Sequence, residues 1–506
     1  MPLILRIDDS SNRPMFRQIM DQIMSLVDRK ALKPGDRLPS TRNMADRLSV
    51  NRSTVYKAYQ ELWALGYVDS TPGSYSTVRP RPKIAGEGPA TTPGRIDWSM
   101  RVTPASEELL QAYEAEQALM PEPVSMDSEM INFIPLAPDS RLFPVEAFRK
   151  SMNHVLTDKG TDLLEYGDPL GYKPLRQYIS ERMRLHQIRI SPDEIMITTG
   201  AQNALELLAK LLTGPGDAII LETPTYSRAL SVFRLSNVRL VNAPMNGDGM
   251  DLDALEKRLS VRRPALIYTM PNFHNPTGIT TDQGHRERLL RICDRYRVPL
   301  VEDGFEEEMK YFGKAVLPIK SMDHGKIVIY IGTFSKVLFP GLRIGWIAAD
   351  REVIERLRPI QRALILSGNQ VDQAALDRFC RQGHYDRHIQ RIHRIYRKRM
   401  TTALDAMATE FSGKHVDWSR PAGGYTIWVR LKRWDGDEQL MVKKMTEHGV
   451  GVLPGSTHFY GDPGGIYFRL SIANLDEQQI QEGINRIARC LDTMNRGRRT
   501  GKKQVS

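Results

Sequence analysis

The sequence has few cysteines and no long apolar run. Three cysteines occur in 506 residues, at Cys293, Cys380 and Cys490. This odd, widely spaced set argues against a disulfide framework and is typical of a reducing compartment, so a cytoplasmic location is expected. No apolar stretch reaches the roughly 20 residues needed to cross a bilayer. The N-terminus has neither the basic region nor the cleavage site of a signal peptide, so we expect no membrane partner.

Charge and length limit the partners and the number of domains. The 71 Lys and Arg residues exceed the 60 Asp and Glu residues and give a net charge of +11. This excess favours anionic partners such as nucleic acid, phosphates or carboxylates. The length predicts two or three domains. Residues 79–94, RPRPKIAGEGPATTPG, are rich in Pro and Gly without an apolar period and predict an extended linker.

The segment before this linker carries helix signals. Apolar residues recur at helical spacing over residues 16–27. Ser40 and Asn51 are placed to cap two further helices joined by a short turn, and Gly66 ends the second of them. Two short helices joined in this way predict a helix-turn-helix, and residues 67–78 predict a hairpin wing.

The start of the second of these two helices has the chemistry for reading DNA. Its first residues would face base edges and phosphates, and the positive end of the helix dipole favours phosphate. The residues predicted to contact DNA are Arg37, Arg42, Asn51, Arg52, Ser53, Tyr56 and Lys57. A small helical domain with solvated arginines is the alternative interpretation.

Residues 34–68, PGDRLPSTRNMADRLSVNRSTVYKAYQELWALGYV, carry a family resemblance. They resemble the winged helix-turn-helix of GntR-type bacterial regulators nearly throughout, which implies double-stranded operator DNA as a partner. The wing tip, residues 73–76, reads GSYS and departs from the Gly-Ser-Gly-Thr type usual in that family.

From about residue 129, short apolar strands alternate with amphipathic helices. This alternation predicts a mostly parallel sheet covered by helices on both faces. Residues 105–120 before it predict a partly helical segment. Residues 381–400, RQGHYDRHIQRIHRIYRKRM, predict one long basic helix, and residues 495–506 predict a disordered basic tail.

Two cations stand in the apolar stretch GTFSKVLFPGLRIGW, residues 332–346. If both Lys336 and Arg343 are buried there, they need anions. A lysine amine condenses with an aldehyde to a Schiff base, and a buried lysine has the lowered pKa that this reaction needs. Together with a phosphate-binding arginine, this predicts pyridoxal 5′-phosphate as the cofactor.

The remaining parts of such a site are present in the sequence. Strand-to-helix turns supply phosphate donors, a strand-end Asp suits the ring nitrogen, and an aromatic side chain can stack on the ring. The predicted cofactor-binding residues are Lys336, Asp303, Asn275, Tyr226, Gly200, Ala201, Gln202, Thr333, Ser335 and Arg343.

Residues 131–492 resemble the fold-type I aminotransferases in the order of these motifs. The resemblance implies that Lys336 is the catalytic lysine and that Arg469 holds the substrate α-carboxylate. It also implies that Tyr166 reaches the phosphate of a neighbouring subunit, which requires a homodimer. Residues 421–425, PAGGY, match a mobile substrate-covering segment.

The sequence departs from that family near the ring oxygen. A tyrosine is usual two or three residues after the ring Asp, whereas Phe305 and Glu306 stand here. The run 306–310, EEEMK, is interpreted as a solvated face. A metal site at His384, His388 and His393 is the alternative to a solvated helix; the absence of a nearby carboxylate or Cys set favours the helix and predicts no metal.

The complete order resembles the MocR subfamily of regulators. We therefore expect a multi-domain protein: an N-terminal α+β winged helix-turn-helix, an α/β fold-type I large domain that binds pyridoxal 5′-phosphate, and a small C-terminal α+β domain. The predicted boundaries are residues 1–79, a linker at 80–128, the aminotransferase-like domain at 129–494 with its small part from about 375, and a tail at 495–506. The expected function is DNA-binding regulation that senses pyridoxal 5′-phosphate or an amino compound. The alternative is an active aminotransferase, of the 2-aminoadipate or the aromatic or aliphatic type, with an appended DNA-binding domain.

Overall fold

The computed structural model describes residues 3–69, 75–80, 96–120, 130–432, 434 and 436–501, with the backbone alone at Ser99 and at residues 495–501. The chain divides into two compact units, Met1–Trp98 and Ser99–Ser506. Each unit has its own buried apolar core.

The described residues of the first unit form three α-helices and a two-stranded antiparallel sheet. Its elements are α1 (Met15–Asp28), α2 (Thr41–Leu48), α3 (Arg52–Ala64), β1 (Val68–Asp69) and β2 (Thr77–Val78). The predicted caps are confirmed, because the backbone N–H of Asn43 donates to Ser40 Oγ and that of Ser53 donates to Asn51 Oδ1. Of the predicted wing tip, residues 73–76, Gly73 and Ser74 lie outside the described residues.

The second unit follows the predicted alternation of strands and helices. The elements of its first part are α4 (Pro104–Leu119), β3 (Ile131–Asn132), α5 (Val145–Leu164), α6 (Lys173–Met183), β4 (Ile195–Thr198), α7 (Ala201–Leu212), β5 (Ala218–Thr223), α8 (Ser227–Leu235), β6 (Arg239–Asn246), β7 (Gly249–Met250), α9 (Leu252–Val261), β8 (Leu266–Thr269), α10 (Gln283–Tyr296), β9 (Leu300–Asp303), β10 (Val328–Thr333), β11 (Gly345–Ala348) and α11 (Arg351–Ile365). Those of its second part are α12 (Gln370–Arg381), α13 (His384–Glu410), β12 (Val416–Trp418), β13 (Thr426–Leu431), α14 (Glu438–Glu447), β14 (Val450–Gly451), β15 (Leu453–Pro454), β16 (Ile466–Ser471) and α15 (Glu477–Gly501).

An eight-stranded sheet forms the centre of this unit, in the order β4-β11-β10-β9-β8-β5-β6-β7. Its strands are parallel except β11, which runs opposite to β4 and β10, and β7, which runs opposite to β6. The predicted mostly parallel sheet is confirmed. Because parallel strands bring their carboxyl ends to one edge, the residues that end β9 and β10 lie at the same edge of the sheet.

A second, antiparallel sheet has the order β12-β13-β16-β15 and lies in the C-terminal part. The short strand β14 pairs with β3 in parallel, so the start of the second unit is tied to its C-terminal part. The helix predicted within residues 105–120 is confirmed as α4, which begins one residue earlier at Pro104. Among the described residues, no helix combines the length and apolar character needed to cross a bilayer.

Two predictions about helices are wrong. Residues 381–400 do not form one helix, because Gly383 adopts a left-handed φ of 70° and separates α12 from α13. The tail is not disordered over residues 495–501, since the backbone of α15 continues to Gly501. The helix is anchored by Ile480, Ile484 and Ile487, which are fully buried.

Candidate cofactor site and DNA-reading surface

Lys336 lies just after β10, at the edge of the sheet where the parallel strands end. Its Nζ donates to the Leu136 carbonyl oxygen at 2.7 Å, and the Tyr425 hydroxyl donates to the Lys336 carbonyl oxygen at 2.7 Å. Burial lowers the pKa of Lys336 below its usual value of 10.5, and the charge of Arg469 acts in the same direction. Both effects make the uncharged, nucleophilic amine easier to form than on a lysine in water.

Asp303 ends β9 and is only 1% exposed. The Tyr268 hydroxyl donates to its Oδ2 at 2.8 Å, whereas its Oδ1 has no partner among the described residues. Burial raises the pKa of Asp303 to about 6, against the opposing effect of the Tyr268 hydrogen bond. A buried acceptor oxygen without a donor fits the protonated ring nitrogen of pyridoxal 5′-phosphate.

A phosphate cradle is formed where β4 leads into α7. Gly200 is the N-terminal cap of α7 with φ 102°, and no side chain caps the helix, so the amides of its first turn are available to an anion. A Cβ at Gly200 would lie 2.7 Å from Nη2 of Arg343, so the approach of these two residues requires glycine. The predicted Ala201 and Gln202 are the first two residues of α7.

Three further predicted phosphate ligands surround this helix end. Arg343 donates to the Thr199 carbonyl oxygen at 2.7 Å, and the Ser335 backbone N–H donates to Thr333 Oγ1 at 3.1 Å. The Ser335 Oγ is buried without a partner among the described residues. The expectation that both cations are buried is wrong for Arg343, which is exposed because it follows a surface turn.

Arg469 projects from β16 into the same site and is buried. Its Nη1 donates to Asn275 Oδ1 at 3.2 Å and its Nη2 donates to the Ile134 carbonyl oxygen at 2.6 Å, while Nε has no partner in the described part of the chain. Burial lowers its pKa to about 10, so the guanidinium stays charged near neutral pH. One buried N–H therefore remains for an anionic ligand.

Two predicted tyrosines occupy different surroundings. Tyr226 is half-buried at the start of α8, and burial together with the charge of Asp303 raises its pKa to about 12. This electrostatic interaction indicates that the ring lies near the Asp303 carboxyl. Tyr166, by contrast, is 81% exposed in the single chain.

The acidic run after β9 is not the solvated face that the sequence predicted. Glu306 is 1% exposed, Met309 is fully buried, and Glu308 accepts from Arg182 Nε at 2.7 Å. The run turns back over the site because Lys310 pairs with Gly423 in an antiparallel bridge. Glu306 thereby becomes part of the site.

The histidines of α13 are also placed differently from the prediction of a solvated helix. His388 is buried, and its Nε2 lies 2.8 Å from the Val337 carbonyl oxygen, so it packs the helix against the loop that carries Lys336. Within the described ranges, no three His, Cys, Asp or Glu side chains are arranged to hold a metal ion.

Helix α4 packs against α8 next to the cradle. Glu116 and Arg228 form an ion pair at 3.3 Å, and Glu108 and Arg234 form another at 3.5 Å. A cleft of 560 Å³ lies between the two helices, and Gln202 contributes to its wall. Helix signals for α4 are present in the sequence, but none of them indicates this docking.

The predicted DNA-contacting residues of the first unit all have exposed side chains: Arg37, Arg42, Asn51, Arg52, Ser53, Tyr56 and Lys57. Arg52 Nε donates to Thr41 Oγ1 at 3.4 Å, which joins the starts of α2 and α3. The Arg37 guanidinium lies 5.3 Å from the centre of the Tyr75 ring. Sequence reasoning missed Thr41 and Tyr75, although both follow from the helix-turn-helix and wing geometry.

The fold and the site together define a fold-type I protein that binds pyridoxal 5′-phosphate, joined to a helix-turn-helix unit. Residues 135–487 match the model of the family "Aminotransferase class I and II", and residues 16–78 match "Bacterial regulatory proteins, gntR family". The chain belongs to the aminotransferase class I and II family and carries a GntR-type DNA-binding domain, in the domain order of MocR-type regulators.

Known relatives fall into two groups. "Aromatic-amino-acid aminotransferase 1" of Thermococcus litoralis is 36% identical over 71% of this chain and 88% of its own length. "Probable rhizopine catabolism regulatory protein MocR" of Rhizobium meliloti is 28% identical over 95% of this chain and 94% of its own. The structure of LysN, the α-aminoadipate aminotransferase of Thermus thermophilus in complex with N-(5′-phosphopyridoxyl)-L-leucine, superimposes with a TM-score of 0.70 and 30% identity, covering 79% of this chain and 99% of that one.

Proposed function

We propose that the protein is a homodimeric regulator of the cytoplasm that binds operator DNA and senses an amino compound through pyridoxal 5′-phosphate attached to Lys336. The observation that carries this proposal is the combination of an exposed, basic helix-turn-helix surface and a buried site with unpartnered polar atoms in one chain. The proposed boundaries remain residues 1–79 for DNA binding, 80–128 for the linker, 129–494 for sensing and 495–506 for the tail.

Each group of residues has a separate role in this proposal. The cofactor, when bound, supplies an aldehyde and an electron-withdrawing ring. Asp303 holds the ring-nitrogen proton, Tyr226 packs on the ring and Asn275 donates from Nδ2 to the ring oxygen. The phosphate is held by the start of α7 and by three side chains that follow β10, namely Thr333, Ser335 and Arg343.

The ligand side of the site consists of Arg469 and the segment 421–425. Arg469 holds a carboxylate through its unpartnered Nε. Tyr425 of the covering segment contacts the backbone of Lys336 directly, so a ligand that displaces Lys336 alters this contact. A regulator needs such a differential contact to bias one arrangement over another.

The exposed Tyr166 supports the homodimer. Its side chain is 81% exposed, and in the proposed dimer it reaches the phosphate of the neighbouring subunit. A dimer would also present two DNA-reading helices to two half-sites.

Catalytic transamination is the second candidate function. It is favoured by Arg469 and its buried partner Asn275, which keep a carboxylate-binding arrangement, and by the 36% identity to an aromatic-amino-acid aminotransferase. The replacement of the usual tyrosine by Phe305 and Glu306 favours regulation instead.

One reconstitution experiment separates these functions. The full chain is incubated with pyridoxal 5′-phosphate, reduced with borohydride and analysed by peptide mass spectrometry, while absorbance, DNA binding and turnover with 2-oxoglutarate are measured in parallel. We expect a visible band, an adduct at Lys336 and salt-dependent binding to DNA upstream of its own gene, without robust turnover. The Lys336→Ala variant should lose both the visible absorbance band and the borohydride-reduced adduct. Lys326 is an exposed lysine, so the Lys326→Ala variant should keep both.

Two results would contradict the proposal. A protein that stays colourless with the cofactor does not form the lysine linkage. Robust turnover that is abolished by Lys336→Ala, together with an absence of DNA binding, identifies the enzyme instead of the regulator.

A further inference from the structure

Glu306 is a buried carboxyl to which the proposed function assigns no role. It is 1% exposed, and neither of its oxygens has a hydrogen-bond partner among the described residues. The backbone of Tyr425 favours its charged form but does not reach hydrogen-bond geometry. The charges acting on it are the cations Lys336 and Arg469 and the anion Asp303, and burial raises its pKa above the usual 4.5.

Two other buried carboxyls of the same unit, Glu222 and Glu302, are satisfied within the fold. Glu222 accepts from the Thr269 hydroxyl and the Met270 N–H, and Glu302 accepts from two backbone N–H groups. Leaving a buried carboxyl without a donor is unfavourable, so a retained unpartnered one marks a place where a ligand supplies the donor.

The backbone makes room for this carboxyl. A Cβ at Gly424 would lie 2.5 Å from Glu306 Oε2, and a Cβ at Gly423 would clash with the Met309 carbonyl oxygen. Two consecutive glycines therefore let the covering segment pass directly over the acidic run. The carboxyl is enclosed by main chain and has no side-chain donor among the described residues there.

Arg469, a cationic residue of the same site, has an unsatisfied hydrogen-bond donor. Arg469 acts electrostatically on Glu306 and keeps an unpartnered Nε. A ligand that satisfies both residues must present an anionic oxygen to Arg469 and an N–H donor to Glu306. A primary amino acid carries both groups on one small framework.

We propose that Glu306 binds the ammonium group of an amino-acid ligand whose carboxylate is held by Arg469. This inference rests on the proposed function and assigns a residue that selects its ligand class. A carboxylic acid without the amine satisfies Arg469 and leaves Glu306 unpartnered. An amine without the carboxylate leaves Arg469 unpartnered.

Glu306 also receives a proton in this arrangement. An N–H bond of the ammonium would break, an O–H bond would form on Glu306, and the ligand amine would keep the electron pair of the broken bond. The ammonium charge and the carboxylate charge would be lost together, so protons and charge balance in this transfer. Glu306 and Lys336 both border the covering segment, because a Cβ at Gly424 would lie 2.5 Å from Glu306 Oε2 and the Tyr425 hydroxyl donates to the Lys336 carbonyl oxygen.

The test compares amino acids with their desamino counterparts on the full-length protein loaded with pyridoxal 5′-phosphate. The probes are L-leucine with 4-methylpentanoate, L-glutamate with glutarate, and L-phenylalanine with 3-phenylpropanoate, measured by calorimetry, with the visible spectrum recorded for each amino acid. Wild type should bind at least one amino acid more tightly than its counterpart. Glu306→Gln should lower the affinity for that amino acid by about 10- to 100-fold. Its affinity for the desamino acid should stay unchanged or increase.

The opposite response to the two probe types separates ligand binding from a structural role. Glu307→Gln is the matched control, because Glu307 is in the same turn but already accepts from Asn272 Nδ2 at 2.5 Å; it should change neither affinity. If Glu306→Gln does not fold, Glu306→Asp takes its place, because it keeps the carboxylate on a side chain that is one methylene shorter. This variant should have a lower affinity for the amino acid and an unchanged affinity for the desamino acid.

Three outcomes overturn the inference: wild type binds none of the amino acids, it binds each no better than its counterpart, or the Glu306 substitution affects both probe types equally. A wild-type protein that forms no visible absorbance band with the cofactor overturns the proposed function instead. The spectrum is recorded before any amino acid is added, so the two failures are distinguished.

Discussion

Asp303→Asn should stabilise the protein without cofactor and weaken its hold on pyridoxal 5′-phosphate. The pKa of this buried carboxyl is raised from 3.8 to about 6. A raised carboxyl pKa means that stability present below pH 3.8 is lost as the pH rises toward 6. At about 1.4 kcal/mol per pH unit, this loss amounts to about 3 kcal/mol at neutral pH. Asn keeps an oxygen that accepts from Tyr268 and carries no charge, so it avoids most of this loss.

Thermal unfolding of the full chain, followed in the transition that responds to cofactor, measures both effects. Without cofactor, the variant should melt a few degrees above wild type at about pH 7.5 and near wild type at about pH 4. With cofactor the order should reverse, because loss of the charge-assisted bond to the ring nitrogen should weaken binding by about 10- to 100-fold. A cofactor-free variant that melts below wild type at the higher pH would refute the reasoning. Tyr268→Phe serves as the control, since it removes the hydrogen bond and leaves the charge.

Two further predictions concern the DNA-reading helix and the docking of α4. Arg52→Ala should lower DNA affinity at least tenfold and reduce the dependence of binding on salt, as measured by fluorescence anisotropy across salt concentrations, whereas Arg13→Ala, outside the predicted set, should alter neither. Arg228→Glu should loosen α4 and increase its amide hydrogen exchange, and adding Glu116→Arg should recover about 0.2–1 kcal/mol of the docking energy. Equal exchange of α4 in the single and double variants would argue against the ion pair.

The sequence alone predicted that Asp303 and Lys336 lie close together because the predicted fold places functional groups at strand ends. Asp303 ends the apolar strand β9, and Lys336 follows the apolar strand β10, which pairs with β9 in parallel. Once both strands are recognised, the sheet geometry brings the two residues to the same edge. The helix caps Ser40 and Asn51 were predictable for a similar reason, since capping depends on residues close in sequence.

Residues that depend on distant contacts were missed. Tyr268 has the pattern of an ordinary core residue of β8, and only the pairing of β8 with β9 brings its hydroxyl to Asp303. The acidic run at Glu306 looks solvated because charge is usually exposed. The bridge between Lys310 and Gly423, which are far apart in the chain, turns it inward. Local patterns carry no information on such a contact.

The covering segment is the element on which these interactions converge. Its Tyr425 contacts the Lys336 backbone, its Gly424 borders Glu306, and its Ala422 carbonyl oxygen accepts from the Tyr311 N–H. A ligand that changes the charge of Glu306 or displaces Lys336 therefore acts on this segment without an intermediary. Because binding and conformation are linked reciprocally, whatever holds the segment closed must also tighten ligand binding. In the proposed regulator, the same buried groups that destabilise the cofactor-free fold would make its arrangement respond to an amino acid.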